Sequence, residues 1–268
     1  MLDSKELVGY RERSPGVPAP LRGMSRHSPM LSKKKIPVNE RLIFALDVSS
    51  VEEADNLVTT LGDTVHFYKL GLELFMAGGY YELLGRLNKL GKKSLVDLKF
   101  FDIPETVAAA VKQLKGRGAT FATVHGNDAI LKAACDAKNG TKILAVTVLT
   151  SLDKGDLKSL GFGSNVNVTK LVLSRARRAL KIGCDGVISS GLEARDLRKN
   201  LGKNFLIVCP GIRPVANVDD QKRTVDVETA FKNGADYIVV GRPIKNARDP
   251  KKAARDIQNR IAALFSKS

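Results

Sequence analysis

The sequence predicts an α/β protein built as one (β/α)8 TIM barrel behind a disordered N-terminal tail. Eight short runs rich in Val, Ile and Leu each precede a segment with helical spacing, which is typical of parallel strands buried on both faces. The eight units occupy residues 40–268, a length that fits this barrel. Polar residues follow nearly every run, at the strand ends where such barrels hold their active sites.

The predicted strands are the apolar runs Arg41–Asp47, Thr64–Leu70, Ser94–Lys99, Ala119–His125, Lys142–Leu149, Asp185–Ser189, Phe205–Cys209 and Ala235–Val240. The predicted helices have apolar residues three and four positions apart: Val51–Leu61, Leu72–Leu90, Glu105–Arg117, Asp128–Lys138, Val168–Ile182, Leu192–Asn200, Val227–Asn233 and Pro250–Phe265. Long loops at 150–167 and 211–223 follow strands five and seven, and their lengths indicate lids. The alternative fold, an open doubly wound sheet, needs a Gly-rich turn after the first strand, where this chain has Asp47-Val-Ser-Ser50.

Residues 1–39 differ in composition from the rest of the chain. They contain five prolines and eight basic against three acidic residues, and they lack the apolar stretch of a secretory signal. We expect a disordered, basic, Pro-rich extension before a barrel domain at 40–268. A basic arm that contacts a partner is the less favoured alternative.

The formal charge of +16 implies affinity for anions. No predicted helix carries an unbroken Lys/Arg stripe and Trp is absent, so we expect no specific nucleic-acid partner. The chain contains no stretch of about 18 apolar residues, so we expect no membrane span. The three cysteines form neither a CxxC pair nor a zinc spacing, which indicates reduced residues of a cytoplasmic protein.

The third strand and the turn after it carry the strongest chemical signal. Side chains alternate along a strand, so Leu95, Asp97 and Lys99 share one face while an apolar set shares the other. Pro104 then predicts a helix start. Burying Asp and Lys is costly unless they are paired. From this segment alone, a structural ion pair remains an alternative to an active site.

The predicted strand ends carry further polar side chains, namely Asp47, Lys69, Asp97, Lys99, His125, Thr150, Ser151, Ser189, Arg213 and Arg242. Charges from the first three strands would converge on one mouth, which favours an active site over a structural role. Gly241 would let the backbone approach a ligand, and Arg242 beside Arg213 would bind an oxyanion, since phosphate often binds after strands seven and eight.

Other polar residues of the strands are given structural roles. His125 has no second His or Cys at ligand spacing, so we expect no metal site and a neutral, hydrogen-bonding His125. Thr123 and Thr147 are interpreted as core hydroxyls with local hydrogen bonds.

Seven motifs occur in the order seen in the orotidine 5'-phosphate decarboxylase family: Ala45-Leu-Asp47, Lys69-Leu-Gly71, Asp97-Leu-Lys-Phe-Phe-Asp-Ile-Pro104, Leu149-Thr-Ser151, Pro210-Gly-Ile-Arg-Pro214, Asp220-Gln-Lys-Arg223 and Val240-Gly-Arg-Pro243. From residue 41 to about 265 the chain resembles the bacterial branch of that family. The run that begins at Asp97 is the most specific of these motifs. Asp226-Val227 departs from the Thr-Pro of many relatives, and the loop after strand five is Gly-rich.

The resemblance implies four catalytic residues. Asp97 would sit beside the substrate carboxylate and stress it, and Lys99 would protonate C6 of the pyrimidine. Lys69 would join this charged network and also bind the ribose hydroxyls together with Asp47. Asp102 would reach into the site of a second subunit, so the active unit would be a homodimer.

The resemblance also implies the remaining substrate contacts. Ile103 and Thr106 would touch the partner's substrate. Ser151 would touch the pyrimidine edge, and Thr150 would also bind the substrate. The 5'-phosphate would be held by Arg213, Gln221, Gly241 and Arg242, with the loop 213–223 closing over it.

The implied activity is cofactor-independent decarboxylation of orotidine 5'-monophosphate, the last step of UMP synthesis. No thiamine, pyridoxal or metal motif is present to hold the carbanion's electrons, so fixed charges would have to stabilise it. One alternative is a magnesium-dependent sugar-phosphate decarboxylase or aldolase of the same barrel group, which Lys69 and Ile103-Pro104 speak against. The other is a non-catalytic nucleotide or RNA binder.

Overall fold

The computed structural model describes residues 28–213 and 224–266. In these residues eight parallel strands close into a barrel in sequence order, with β8 paired to β1. The strands are β1 (Leu42–Leu46), β2 (Phe67–Leu70), β3 (Lys93–Phe100), β4 (Phe121–Val124), β5 (Lys142–Val146), β6 (Gly186–Ile188), β7 (Leu206–Cys209) and β8 (Tyr237–Val240). The predicted (β/α)8 barrel is confirmed.

Helices follow every strand of the described chain. They are α1 (Val51–Leu61), α2 (Leu72–Met76), α3 (Tyr80–Lys89), α4 (Pro104–Lys112), α5 (Asp128–Ala137), α6 (Lys154–Ser159), α7 (Val168–Ile182), α8 (Ala194–Leu201), α9 (Val227–Lys232), α10 (Arg242–Lys245) and α11 (Pro250–Phe265). Pro104 opens α4, as predicted. Ser50 caps α1 by accepting a hydrogen bond from the Glu53 N–H. None of the described helices has the length and apolar character needed to cross a membrane.

Three helix predictions need correction. The single helix predicted over Leu72–Leu90 is two, α2 and α3, because Gly78 and Gly79 adopt left-handed φ angles of 83° and 66°. The helix predicted to reach Arg117 ends at Lys112. The loop predicted at 150–167 contains α6, which Asp153 and Asp156 hold through a reciprocal capping box.

Two apolar layers hold the barrel together. Inside it, the rings of Phe67, Phe121 and Tyr237 pack against one another with centroids 5.1 to 5.7 Å apart. Outside it, Val96 and the other apolar side chains that point outward from the strands pack against the helices. The interior is therefore a filled apolar core below the strand ends.

A buried carboxylate, that of Asp236, lies just before β8 at the N-terminal end of the barrel. Asp236 is fully buried, and its Oδ2 lies 2.7 Å from a terminal nitrogen of the buried Arg198. Its Oδ1 lies 3.1 Å from Lys34 Nζ and also accepts a hydrogen bond from Ser32. Residues 28–39, which were predicted to belong to the disordered extension, thus contact the barrel, with Ile36 packed against its interior core.

We expect Asp236→Ala to lower the free energy of unfolding by about 3–5 kcal/mol, because it leaves the buried Arg198 guanidinium without its counter-charge. Urea denaturation followed by circular dichroism measures this change. Asp136→Ala is the matched control, since it breaks an exposed pair with Lys132 and should cost no more than about 0.5 kcal/mol. Equal effects of the two substitutions would contradict the structural role of Asp236.

Candidate active site

A cavity of about 270 Å³ opens at the C-terminal ends of the strands. Its floor is formed by apolar side chains of the barrel interior, including Ala45, Leu95 and Val239. Its polar wall comes from strand ends and the loops after them, and consists of Asp47, Lys69, Asp97, Lys99, Thr150, Ser151, Arg213, Arg242 and Lys245. The arrangement suits a ligand with one flat apolar part and several charged groups.

Four charged side chains from β1, β2 and β3 form a chain of alternating sign. Lys69 Nζ lies 2.7 Å from Asp47 Oδ1 and 3.4 Å from Asp97 Oδ2. Lys99 Nζ lies 3.0 Å from Asp97 Oδ1. The side chains of Lys69 and Asp97 are largely buried, whereas that of Lys99 is 34% exposed. Of the two lysines in this series of alternating charges, Lys99 is therefore the more exposed.

Burial and charge act in opposite directions on the inner pair. Burial disfavours the Asp97 carboxylate, but Lys69 and Lys99 and the hydrogen bonds from Lys99 and Thr123 outweigh it and leave the pKa of Asp97 below its usual value. Burial likewise disfavours the Lys69 ammonium, but Asp97 and Asp47 keep the pKa of Lys69 above its usual value. Asp97 and Lys69 are thus both charged at neutral pH, and a ligand meets a fixed field.

The backbone of Lys99 is held in an unusual conformation. Its φ of 48° makes it the one non-glycine residue with positive φ among those described. Such a conformation costs about 1–3 kcal/mol and persists only when surrounding contacts enforce it. The Lys99 N–H donates to Thr123 Oγ1 at 3.0 Å, and the same hydroxyl donates to Asp97 Oδ1 at 2.9 Å.

The wall formed by β7 and β8 is basic. Arg213 and Arg242 line the cavity there, and Lys245 donates from Nζ to the Asp47 backbone oxygen at 2.6 Å. A Cβ at Gly241 would lie 3.3 Å from Ala45 Cβ and 3.7 Å from Asp47 Oδ2, so this backbone runs close to β1. The wall can hold an anion some distance from Lys99, since β7 lies four strands from β3.

A family model described as "Orotidine 5'-phosphate decarboxylase / HUMPS family" matches residues 40–257. The orotidine 5'-phosphate decarboxylase of Methylococcus capsulatus is 60% identical over 238 residues, which cover 88% of this chain and 98% of that protein. This chain belongs to the orotidine 5'-phosphate decarboxylase family. The bacterial resemblance predicted from the motifs is confirmed.

Two further members of the orotidine 5'-phosphate decarboxylase family support this assignment. The protein of that name from Stenotrophomonas maltophilia is 49% identical over 241 residues, covering 88% of this chain and 99% of its own. The crystal structure of the Lactobacillus acidophilus orotidine 5'-phosphate decarboxylase superposes with a TM-score of 0.73 at 37% identity, covering 83% of this chain and 99% of that one. The likeness thus extends over the whole barrel.

Most strand-end residues predicted for the family's site come together, but not all. The cavity brings together Asp47, Lys69, Asp97, Lys99, Thr150, Ser151, Arg213, Gly241 and Arg242. Asp102, Ile103 and Thr106 are exposed and are not part of the described cavity lining of their own chain. Gln221 and most of the predicted 213–223 lid lie outside the described residues.

Two strand-end residues lie beside the site. His125 packs edge-on against Phe101, with ring centroids 5.4 Å apart, and burial together with Arg175 and Lys99 lowers its pKa, in agreement with the neutral His125 expected from sequence. Ser189 is buried. No group of three His, Cys, Asp or Glu with metal-binding geometry occurs in residues 28–213 and 224–266.

Sequence reasoning missed two contributors to the site. Lys245 lies three residues after Arg242 on the short helix α10, so its spacing was a usable signal once that helix was recognised. Thr123 was assigned a local core role, yet its hydroxyl contacts both Asp97 and Lys99. Nothing in the sequence around Thr123 distinguishes this residue from other buried threonines.

Proposed function

We propose that this protein decarboxylates orotidine 5'-monophosphate to uridine 5'-monophosphate and CO2, the last step of de novo UMP synthesis, without a cofactor. The observation that carries the proposal is the alternating chain Asp47, Lys69, Asp97, Lys99 at one side of a cavity whose other side is basic. The names of relatives at 60% and 49% identity support the same substrate.

In the proposed reaction the bond from C6 to the carboxylate breaks and its electron pair stays on C6. Asp97, fixed as an anion, repels the substrate carboxylate and raises the energy of the ground state. Lys99 stabilises the charge that develops on C6 and transfers a proton from Nζ to that carbon. Solvent then returns a proton to Lys99, because its side chain is partly exposed. Lys69 holds Asp97 and Asp47 in place through the contacts described above.

The basic wall supplies binding energy far from the reacting carbon. Arg242 and Arg213 would hold the 5'-phosphate, and Asp47 and Lys69 would bind the ribose hydroxyls. Ser151 would contact the pyrimidine edge, and Thr150 lines the same cavity. Binding at the phosphate end can then organise the charged end for reaction. Gln221 belongs to the same proposed phosphate site.

We further propose a homodimer in which Asp102, Ile103 and Thr106 complete the partner's site. Phe101 and Ile103 flank Asp102 and are 68% and 65% exposed, so together they offer an apolar surface that a partner could cover. A second copy of the chain would cover them and bring Asp102 to the opposing cavity mouth.

The magnesium-dependent alternative is disfavoured by the position of Lys69. Its ammonium lies between the Asp47 and Asp97 carboxylates, at 2.7 and 3.4 Å. A divalent cation bound by these oxygens would be repelled by that charge. The alternative of a non-catalytic binder predicts no turnover at all.

The test of the proposed function follows the fall in absorbance of orotidine 5'-monophosphate with a metal chelator present. We expect full turnover in the chelator and formation of one equivalent each of uridine 5'-monophosphate and CO2. Absence of turnover would overturn the proposal, and turnover only after magnesium is restored would favour the sugar-phosphate branch.

We expect Arg242→Ala to weaken binding of uridine 5'-monophosphate by about 10- to 100-fold, since a hydrogen bond to a charged group contributes about 1.5–3 kcal/mol. The turnover number at saturating substrate should fall much less. Isothermal titration calorimetry measures the affinity. The control is Arg248→Ala, which removes the same charge from an exposed position nearby; equal losses in both variants would refute a direct phosphate contact.

A further inference from the structure

We propose that Thr123 is a positioning residue for the decarboxylation, because its buried hydroxyl fixes the backbone of Lys99 and the carboxylate of Asp97 relative to each other. This inference rests on the proposed function and adds to it a residue on β4. The residues that would contact substrate all come from other strands and loops.

The hydrogen bonds of Thr123 have a fixed direction. The Lys99 N–H can only donate, so Thr123 Oγ1 accepts at that contact of 3.0 Å. The hydroxyl proton is then available to Asp97 Oδ1 at 2.9 Å, and an ionised carboxylate can only accept. Lys99 Nζ donates to the same Oδ1 at 3.0 Å. The backbone and the ammonium of Lys99 are thereby joined in one ring through Thr123 and Asp97.

The strand pairing shows why this hydroxyl is needed. β3 and β4 pair regularly at Val96 with Ala122 and again at Phe100 with Val124. Between these pairs three residues of β3 face one residue of β4, which is Thr123. The extra residues form a bulge that contains Asp97 and Lys99 and disrupts the ladder. Thr123 provides the acceptor that the Lys99 N–H would otherwise lack in a part-buried position.

The bulge also aims the Lys99 side chain. A regular strand would send Lys99 along the Asp97 face at an extended backbone angle, whereas the observed φ of 48° redirects it. Because that conformation is intrinsically unfavourable, it needs a contact to hold it. Thr123 is fully buried, so its rotamer is fixed by packing and it can serve as that contact.

Thr147 provides an internal comparison. It is also a buried threonine near the barrel mouth, just after β5, and its hydroxyl donates to the Ile188 oxygen at 2.9 Å. That oxygen also accepts from the Thr147 N–H at 3.3 Å, so it keeps a partner without the hydroxyl. Removal of either hydroxyl should disturb the packing to a similar extent. Of the two threonines, Thr123 is the one whose hydroxyl contacts Asp97 and Lys99.

The test compares wild type, Thr123→Val, Thr123→Ser and Thr147→Val in steady-state decarboxylation. Val keeps the shape of Thr and loses its hydroxyl, while Ser keeps the hydroxyl and loses the methyl group. We expect Thr123→Val to lower kcat by about 10- to 100-fold, the loss seen at metal sites when a hydrogen bond that orients a ligand is removed. KM should change by less than about threefold, because the residues proposed to bind the phosphate are unchanged. Thr123→Ser and Thr147→Val should stay within about threefold of wild type in both constants.

Wild-type kcat in Thr123→Val, or an equal loss in Thr123→Ser, would overturn the positioning role. A second readout does not depend on turnover: the carboxyl 13C chemical shift of Asp97, assigned through Asp97→Asn, should change in Thr123→Val and not in Thr147→Val. An unchanged shift would overturn the proposed hydrogen bond. If wild type showed no decarboxylation, the proposed function would fail while the carboxyl shift still decided the role of the hydroxyl.

Discussion

Lys99→Ala is expected to lower the single-turnover rate of decarboxylation by at least about 10,000-fold. The substitution removes the proton donor, whose contribution alone is typically 100- to 10,000-fold, and also the positive charge next to the developing carbanion. Rapid-quench measurement of uridine 5'-monophosphate formation, with saturating enzyme, measures the chemical step directly.

The fold should survive this change, because the Lys99 side chain is one-third exposed and its loss opens no apolar cavity. Circular dichroism and a thermal melt check that point. Lys142→Ala is the matched control, since Lys142 is an exposed lysine at the start of β5, at the opposite end of the barrel. We expect it to leave the rate unchanged.

Lys99→Arg separates charge from proton transfer. Arginine keeps the positive charge but does not release a proton at neutral pH, so it should remain far below wild type. Near-normal turnover in Lys99→Ala would refute the proton-donor role outright. Recovery in Lys99→Arg would show that charge, and not the proton, limits the reaction.

The sequence was sufficient to predict that Asp47, Lys69, Asp97 and Lys99 meet at the barrel mouth. Strand alternation placed Asp97 and Lys99 on one face, and barrel closure brought them to the mouth that also holds Lys69 and Asp47. These inferences depend only on period and topology. The direction of Lys99 could not be inferred in the same way, because the bulge arises from the pairing of β3 with β4.

The two threonines show the same limit. Thr123 and Thr147 are the same residue type and both lie in apolar runs, so the local sequence does not show which of them contacts the charged residues. Only the register between strands places Thr123 against Asp97 and Thr147 against a backbone oxygen. Asp236 is similar, since its partners Lys34 and Arg198 are far away in sequence.

Two other features, the break between α2 and α3 and the helix α6, had signals in the sequence, but competing signals were stronger. The adjacent Gly78 and Gly79 mark a turn, yet apolar spacing continues across them and favoured one helix. The pair Asp153 and Asp156 has capping-box spacing, but α6 has only six residues, fewer than a periodicity test needs.

Mixing Asp97→Ala chains with Asp102→Ala chains is expected to restore about a quarter of wild-type activity, although each variant alone should be nearly inactive. With random exchange about half of the dimers contain one chain of each kind, and in these one of two sites is intact if Asp102 acts across the interface. Asp102 is exposed, and its Oδ1 accepts from the Ile103 N–H at 2.6 Å. It does not belong to the described cavity lining of its own chain, so a site within one chain would not use it.

The decisive control mixes Asp97→Ala with Lys99→Ala chains. Asp97 and Lys99 are in contact within one chain, at 3.0 Å, so every site of a mixed dimer still lacks one of them and no activity should return. Native mass spectrometry of chains carrying distinct isotope labels verifies the exchange. Exchange without rescue in the first mixture would argue that each barrel works alone. Rescue in both mixtures would mean that activity comes from something other than a shared site. If activity returns in the first mixture and not in the second, Asp102 of one chain and Asp97 of another must meet at the same substrate, because no other pairing regenerates an intact set of charges.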